Sequence, residues 1–123
     1  MQHIGGTADE IRALVPTVLA AYERTRDTVL RGGVVDRALK ELCFGYLASG
    51  ADLPPLEARG ARERAALEWA SAIEWDSARA DDALWVRLHA LFSEPELVEL
   101  GCAIGFELGY QHWRRTIGLA ARD

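Results

Sequence analysis

Residues 93–119, SEPELVELGCAIGFELGYQHWRRTIGL, contain the strongest structural pattern in the sequence. Ser93 can cap a helix, Glu96 stands at the capping-box position three residues later, and Pro95 lies in the first turn, where its missing N–H costs little. The spacing predicts a long helix over about residues 94–119. No stretch of the chain combines period-two alternation with hairpin turns, so the predicted fold class is all-α.

The rest of the chain divides into shorter helices with their own start signals. Thr7 and Glu10 have capping-box spacing and predict a helix from near Ala8 to about Leu30, in which Pro16 kinks the helix or splits off a short first turn. Three more helices are predicted: one capped by Asp36, one over about Ala61–Trp75, and one capped by Asp81 or Asp82 and running through Phe92. Ser49–Gly60 and Asp76–Asp81 are predicted as loops. The expected architecture is therefore one domain over residues 1–123, a bundle of five to six helices.

Composition excludes several classes of function. The chain has 123 residues, half of them hydrophobic, which suits one compact domain. Its net charge of −5 disfavours nucleic-acid binding, which needs clustered Lys and Arg. No apolar run is long enough to span a bilayer, and no secretory signal is visible. The two cysteines and three histidines have no metal-ligand spacing, so no metal and no cofactor is expected. The expected location is the cytoplasm, with no membrane partner.

Three glycines in the last helix are spaced four residues apart. Gly101, Gly105 and Gly109 lie on one stripe, and His112 follows one turn later. The glycines could form a groove for a ligand, with His112 as a proton donor or acceptor at its end. They could instead allow another helix to pack closely, within the chain or between subunits, with His112 as a packed residue. We favour packing for the glycines and leave His112 open.

Three segments resemble one known family. Asp36–Leu42 (DRALKEL), Arg62–Leu67 (RERAAL) and Phe92–Leu100 (FSEPELVEL) are similar, in order and spacing, to segments of the carboxymuconolactone decarboxylase / alkylhydroperoxidase D-like proteins. The resemblance covers roughly residues 34–118. It implies an alkylhydroperoxidase D-like helical fold and a homo-oligomer, often built from trimers, so a second copy of the chain is an expected partner.

The peroxidase centre of that family is missing from this sequence. In the peroxidase branch a Glu, which aligns with Glu41, is followed twelve residues later by C-x-x-C and then by a His. Those positions fall here on Leu53, Leu56 and Gly60, and no C-x-x-C occurs anywhere. A thiol reductase needs a low-pKa thiolate and a resolving partner. The sequence therefore predicts no thiol peroxidase activity.

Glu41 is what remains of the family's centre. The resemblance implies a carboxylate that faces a pocket and transfers protons. Its position opposite the apolar stripe of its helix instead suggests a solvated or ion-paired residue. The two interpretations have equal weight.

Two functions follow from the sequence. The first is a lyase-like or isomerase-like enzyme that acts on a small lactone or carbonyl compound without redox chemistry. Its acid/base pair would be Glu41 and His112, and its substrate-binding side chains would be Tyr46, Trp69, Tyr110 and Trp113. The second is a non-catalytic oligomer that binds a small molecule or serves in assembly. Convergence of Glu41 and His112 in one cavity would favour the enzyme.

Overall fold

A computed structural model describes all 123 residues, which form six α-helices and no strand. The helices are α1 (Ala8–Arg12), α2 (Pro16–Thr25), α3 (Arg37–Ser49), α4 (Ala61–Trp75), α5 (Asp82–Leu91) and α6 (Glu94–Thr116). The prediction of an all-α, single-domain bundle of five to six helices is confirmed. None of these helices combines the length and the hydropathy needed to cross a bilayer.

The helices begin where the sequence places their caps. The Thr7 hydroxyl accepts from the Glu10 N–H in a complete capping box, and Ser93 forms the same motif with Glu96 at the start of α6. Side chains of Asp36 and Asp81 accept from main-chain N–H groups in the first turns of α3 and α5. Each cap satisfies donors that the helix itself leaves free. Local sequence therefore fixes these boundaries.

The segment before α3 departs from a continuous helix. Pro16 splits off α1 and becomes the first residue of α2, which is one of the two predicted outcomes. After α2 the chain widens into a π-helical turn over Arg26–Leu30, in which the Arg31 N–H donates to the Arg26 carbonyl at 2.9 Å. We call Arg26–Leu30 the π turn.

Two smaller differences concern the second half of the chain. Ser77–Arg79 forms a short 3₁₀ turn inside the predicted loop. The last helix ends at Thr116, three residues before the predicted end, and Gly118 follows with φ +90°. A left-handed glycine just after the last turn is a common way for a helix to stop.

The hydrophobic core lies where α3 packs against α4 and α6. Its fully buried side chains include Cys43, Leu47, Leu67, Leu88, Leu100 and Ile104. A second, smaller cluster joins Leu30 of the π turn to Phe44 of α3 and Ala103 of α6. This second cluster holds the π turn against the bundle.

A buried ion pair ties the π turn to α3 and α6. The Lys40 side chain is fully buried, and its ammonium donates to the carbonyl oxygens of Val29 and Gly32, both at 2.6 Å, and to the Glu99 carboxylate at 2.9 Å. All three ammonium protons have acceptors, which removes the main cost of burying this charge. We call this pair the Lys40–Glu99 clamp.

The other side of the clamp fixes the loop before α3. The Glu99 carboxylate also accepts from the N–H groups of Val34 at 3.0 Å and Val35 at 2.6 Å. Gly33 has φ +89°, and a Cβ at this position would collide with the Glu99 carboxylate. Only glycine fits there, so the loop and the clamp depend on each other.

Candidate functional site

An open polar cavity of about 310 Å³ with many charged side chains in its wall lies beside the π turn, α3 and α6. Five arginines line it: Arg12, Arg26, Arg31, Arg114 and Arg122. Three carboxylates also line it: Glu41, Glu107 and Asp123. We call it the arginine cavity. Its excess of positive charge contrasts with the net charge of −5 on the whole chain.

Glu107 of α6 is the acid that lies deepest among the three carboxylates of the arginine cavity. The residue is buried, and its Oε2 has no hydrogen-bond partner. Burial raises the pKa of the Glu107 carboxyl, Arg122 opposes that rise, and the nearby Glu41 carboxylate adds to it. A carboxyl with a raised pKa in a cavity is a candidate proton donor.

Gln111 lies one turn after Glu107 and also has a buried oxygen without a hydrogen-bond partner. Its Nε2 donates to the Phe44 carbonyl at 3.1 Å, which leaves its Oε1 buried without a partner. The Gln111 side chain lowers the pKa of the Glu107 carboxyl, so it opposes the effect of burial. Two buried acceptor oxygens, one on each residue, therefore stay without a donor in this part of α6.

Glu41 faces the same cavity from α3 and is held by arginines. Arg122 donates to its carboxylate at 2.7 Å, and Arg37, one turn earlier on α3, lies 3.9 Å away. The Arg122 Nε is also 4.0 Å from the Glu107 carboxylate, so this guanidinium lies between the two acids. Two carboxyls with different surroundings therefore share one cavity, an arrangement that can divide acid and base roles between them.

Arg12 enters the cavity from α1. Its side chain is only 4% exposed, and its Nη1 donates to Asp9 at 3.0 Å. The guanidinium carbon lies 3.5 Å from the centre of the Tyr22 ring and 4.9 Å from that of Trp113. The other terminal nitrogen, Nη2, is buried and has no acceptor. A buried guanidinium N–H group without an acceptor is costly, and an anionic oxygen is its strongest partner.

Glu41 and His112 do not meet in the structure. His112 is exposed and does not line the arginine cavity. At about 100° per residue, it is turned roughly 140° around α6 from Glu107, so it points away from the cavity. The carboxylate that interacts with His112 is that of Glu74 on α4. The condition that favoured the enzyme on these two residues is not met, and Glu107 takes the place beside Glu41.

The four predicted substrate-binding residues separate into two groups. Tyr110 lines the arginine cavity, and Trp113 lines an apolar groove next to it. Tyr46 is buried, its hydroxyl has no hydrogen-bond partner, and it lines a different pocket beside the loop after α3. Trp69 is buried in the core and packs against Trp85, so its part in substrate binding stays a prediction.

The glycine stripe also separates along α6. A Cβ on Gly101 would lie 2.8 Å from the Trp69 ring, so this glycine allows close packing inside the chain. A Cβ on Gly105 or Gly109 would have no neighbour within 4 Å, because both glycines face solvent. Packing within the chain therefore explains Gly101, whereas no side chain or backbone packs against Gly105 and Gly109.

The cysteines lie in unlike environments and form no disulfide. Cys43 is fully buried in the core, and burial raises the pKa of its thiol to about 12. Cys102 is exposed on α6. Leu53 and Leu56, the residues at which the sequence comparison expected cysteines in a peroxidase, pack against the core. No group of three or more His, Cys, Asp or Glu side chains is arranged to hold a metal ion.

Sequence reasoning missed Glu107, although the pattern contained a signal. The buried stripe of α6 is apolar at Ala103 and Ile104, and it continues at helical spacing through Glu107, Gln111 and Arg114, which are polar. Polar residues that continue a buried stripe are typical of a site. Arg12 gave no such signal, because its burial depends on contacts far along the chain.

Comparisons with protein-family models, with characterised proteins and with solved structures gave no match for this chain.

Proposed function

We propose that the chain is a carboxymuconolactone decarboxylase-like protein without a thiol peroxidase centre, and that its arginine cavity binds a small organic molecule and exchanges protons with it. The three similar sequence segments support the family, and the all-helical bundle is compatible with an alkylhydroperoxidase D-like fold. The observation that carries the function is the unpartnered Oε2 of buried Glu107 in a cavity lined by arginines.

The two carboxyls have complementary roles in this proposal. Glu41, ion-paired with Arg122, is the base and takes a proton from the carbon next to a substrate carbonyl. Glu107, whose pKa burial raises, donates a proton to the carbonyl oxygen from its protonated form. The product is an enol. Return of the proton from Glu41 to the same carbon restores the carbonyl compound, and its delivery to another carbon of a conjugated substrate moves the double bond. The chemistry is an isomerase-like or lyase-like proton transfer and involves no change of oxidation state.

Hydrogen–deuterium exchange tests this step without a known substrate. Small lactones and keto acids are incubated with the protein in D₂O, and loss of the carbon-bound proton is followed by NMR. Wild type is expected to catalyse exchange in at least one compound, and Glu107→Gln is expected to lower the rate by about a hundredfold or more. Glu74→Gln is the matched control, because burial also raises the pKa of Glu74 but this residue lies outside the cavity. Equal exchange in wild type and Glu107→Gln would contradict the proposal.

A non-catalytic binding protein is the alternative, and one contact favours it. Arg122 already neutralises Glu41 at 2.7 Å, so the base is not free until a ligand displaces this guanidinium. Binding of small molecules in the cavity without any exchange would identify this function.

We also propose that a second copy of the chain packs on α6. The side chains of Val98, Cys102 and Phe106 are exposed there, and Gly105 and Gly109 lie beside them with no neighbour. These five residues carry no charge, although the chain as a whole is acidic. Two copies can therefore oppose this face without like-charge repulsion, and the glycines permit close approach of the backbones.

Oligomer mass and crosslinking test this surface. Light scattering is expected to give a multiple of 13.6 kDa for wild type and the monomer mass for Phe106→Glu. Val86→Glu, at an exposed apolar residue on α5, is expected to keep the wild-type mass. Oxidation should link Cys102 to its counterpart if the two faces meet around a twofold axis. A monomeric wild type would contradict the proposal.

A cytoplasmic location is part of the same proposal. Exposed Cys102 and buried Cys43 are both free thiols, and a reducing compartment preserves an exposed thiol. Fractionation of cells that express the tagged chain tests this location.

A further inference from the structure

An apolar groove adjoins the arginine cavity, and the two share one wall. The groove has a volume of about 380 Å³ and is lined by Thr17, Val18 and Ala21 of α2 and by Trp113 of α6. Arg12, Tyr22 and Tyr110 line both spaces. A charged space and an apolar space thus lie on the two sides of the same three side chains.

The shared wall contains a donor without an acceptor. The Arg12 side chain is only 4% exposed, and its Nη2 has no partner. The Tyr22 and Trp113 rings cover the guanidinium, and Nη1 is engaged by Asp9. This nitrogen is covered in the free chain, and an anionic oxygen that displaces part of its cover from the adjoining spaces would be its strongest partner.

The surrounding charge selects an anion over a cation. Five arginines and three carboxylates line the arginine cavity. Asp9 and Asp27 pair with Arg12 and Arg26 from outside the lining, and Arg31 makes no ion pair. The groove offers no charge other than Arg12 and is otherwise formed mainly by apolar surface. A ligand that satisfies both spaces carries an acid group at one end and a hydrocarbon portion at the other.

We infer that the cavity and the groove together bind one amphipathic monocarboxylate, such as a medium-chain or aryl-substituted organic acid, with its carboxylate on Arg12 and its hydrocarbon portion against Val18, Ala21 and Trp113. This inference rests on the proposed function, because it names the class of molecule that the arginine cavity takes. It goes further by assigning the groove, which the acid/base step does not use.

A homologous series of acids tests the inference. Butanoate, hexanoate, octanoate and decanoate are titrated by calorimetry below their aggregation concentrations, with octan-1-ol and octylamine as head-group controls. Each added methylene is expected to tighten binding by about three- to fourfold until the groove is full, because burial of a CH₂ gains about 0.8 kcal/mol. One acid should bind per chain, and the alcohol and the amine should bind at least tenfold more weakly than octanoate.

Three substitutions separate the two ends of the ligand. Arg12→Gln is expected to remove the preference for octanoate over octan-1-ol. Val18→Asp is expected to abolish the dependence on chain length, and since Val18 is 49% exposed the variant should fold. Leu14→Asp is the matched control, because Leu14 is an exposed apolar residue outside the groove, and it should bind like wild type.

The outcomes distinguish this inference from the proposed function. Affinity that is independent of chain length, or unchanged in Val18→Asp, overturns the amphipathic ligand even if small keto acids show exchange that depends on Glu107. Binding that grows with chain length, without exchange in any compound, supports the ligand class and contradicts the acid/base step. No binding of any acid at millimolar concentration overturns the inference.

Discussion

The two halves of α6 each place a carboxylate beside α3, with opposite results. Glu99, in the first half, accepts from Lys40 and from the N–H groups of Val34 and Val35. Glu107, eight residues later, has a buried oxygen without a hydrogen-bond partner. Neighbouring glycines follow the same division, because Gly101 is covered by Trp69 and Gly105 is open.

This difference indicates what each half does. A buried charge whose donors are all provided within the chain contributes to the fold and leaves nothing for a ligand. A buried acid that lacks a partner weakens the fold and remains free to meet one. The first half of α6 is therefore an anchor, and the second half is where binding or assembly can occur.

The largest expected effect is on the Lys40–Glu99 clamp. Lys40→Met should lower the free energy of unfolding by about 3 kcal/mol, because it removes the counterion of the half-buried Glu99 carboxylate and a donor from the carbonyls of Val29 and Gly32. Denaturation in guanidinium chloride measures this loss. Arg37→Met, at an exposed residue of the same helix, is the control and should change stability by less than about 1 kcal/mol. Equal effects of the two substitutions would show that the first half of α6 is not an anchor.

Alanine substitutions at Gly101 and Gly105 should change the stability of the fold by a smaller amount and in opposite directions. Gly101→Ala should destabilise the fold by about 1–2 kcal/mol, because its Cβ would press on the buried Trp69 ring. Gly105→Ala should stabilise the monomer by about 1 kcal/mol through helix propensity alone. Thermal or chemical denaturation of dilute protein measures both. A loss of stability in both variants would mean that Gly105 is covered in solution, as the proposed second copy requires.

Stability measured against pH should change in opposite directions for Glu99 and Glu107, because their pKa values shift in opposite directions. Burial raises the pKa of Glu99, but the N–H of Val35, the Lys40 ammonium and the N–H of Val34 outweigh it, so the net pKa is lowered. Its stabilisation is present at neutral pH and is lost as the pH falls from about 4.3, the unfolded value, through the lower folded value. Stability of wild type and Glu99→Gln measured across this range should converge at low pH.

The contribution of Glu107 to stability should depend on pH in the opposite direction, and its substitution should have the smallest effect on stability. Because its pKa is raised chiefly by burial, its contribution is fully present below about 4.3 and is lost as the pH rises through the higher folded value. Glu107→Gln should therefore be more stable than wild type at neutral pH, by about 1 kcal/mol, and equal to it in acid. A variant that is less stable at neutral pH would show that the Glu107 charge has a partner.

The sequence predicted the helices well because their signals are local. Thr7, Asp36, Asp81 and Ser93 each act within one turn, so their roles do not depend on distant contacts. The π turn was not predicted, because no local signal marks it and Leu30 within it packs against Phe44 and Ala103, which are distant in sequence.

The site was predicted only in part. Glu41 and Tyr110 line the arginine cavity, whereas His112 lies on the other side of α6 and Trp69 fills the core. The cavity is completed by Arg12 and by residues after α6, and their positions depend on tertiary contacts rather than on spacing along the chain.

The π turn has a consequence for how this cavity could be gained or lost. A π turn holds one residue more than the α-helical turn it replaces. Deleting a single residue within Arg26–Leu30 would restore regular winding and swing everything before it by about 100° relative to α3. Arg12 and Tyr22 would then leave the cavity wall although neither side chain has changed. Loss of one residue in this segment would therefore be enough to remove the cavity during evolution.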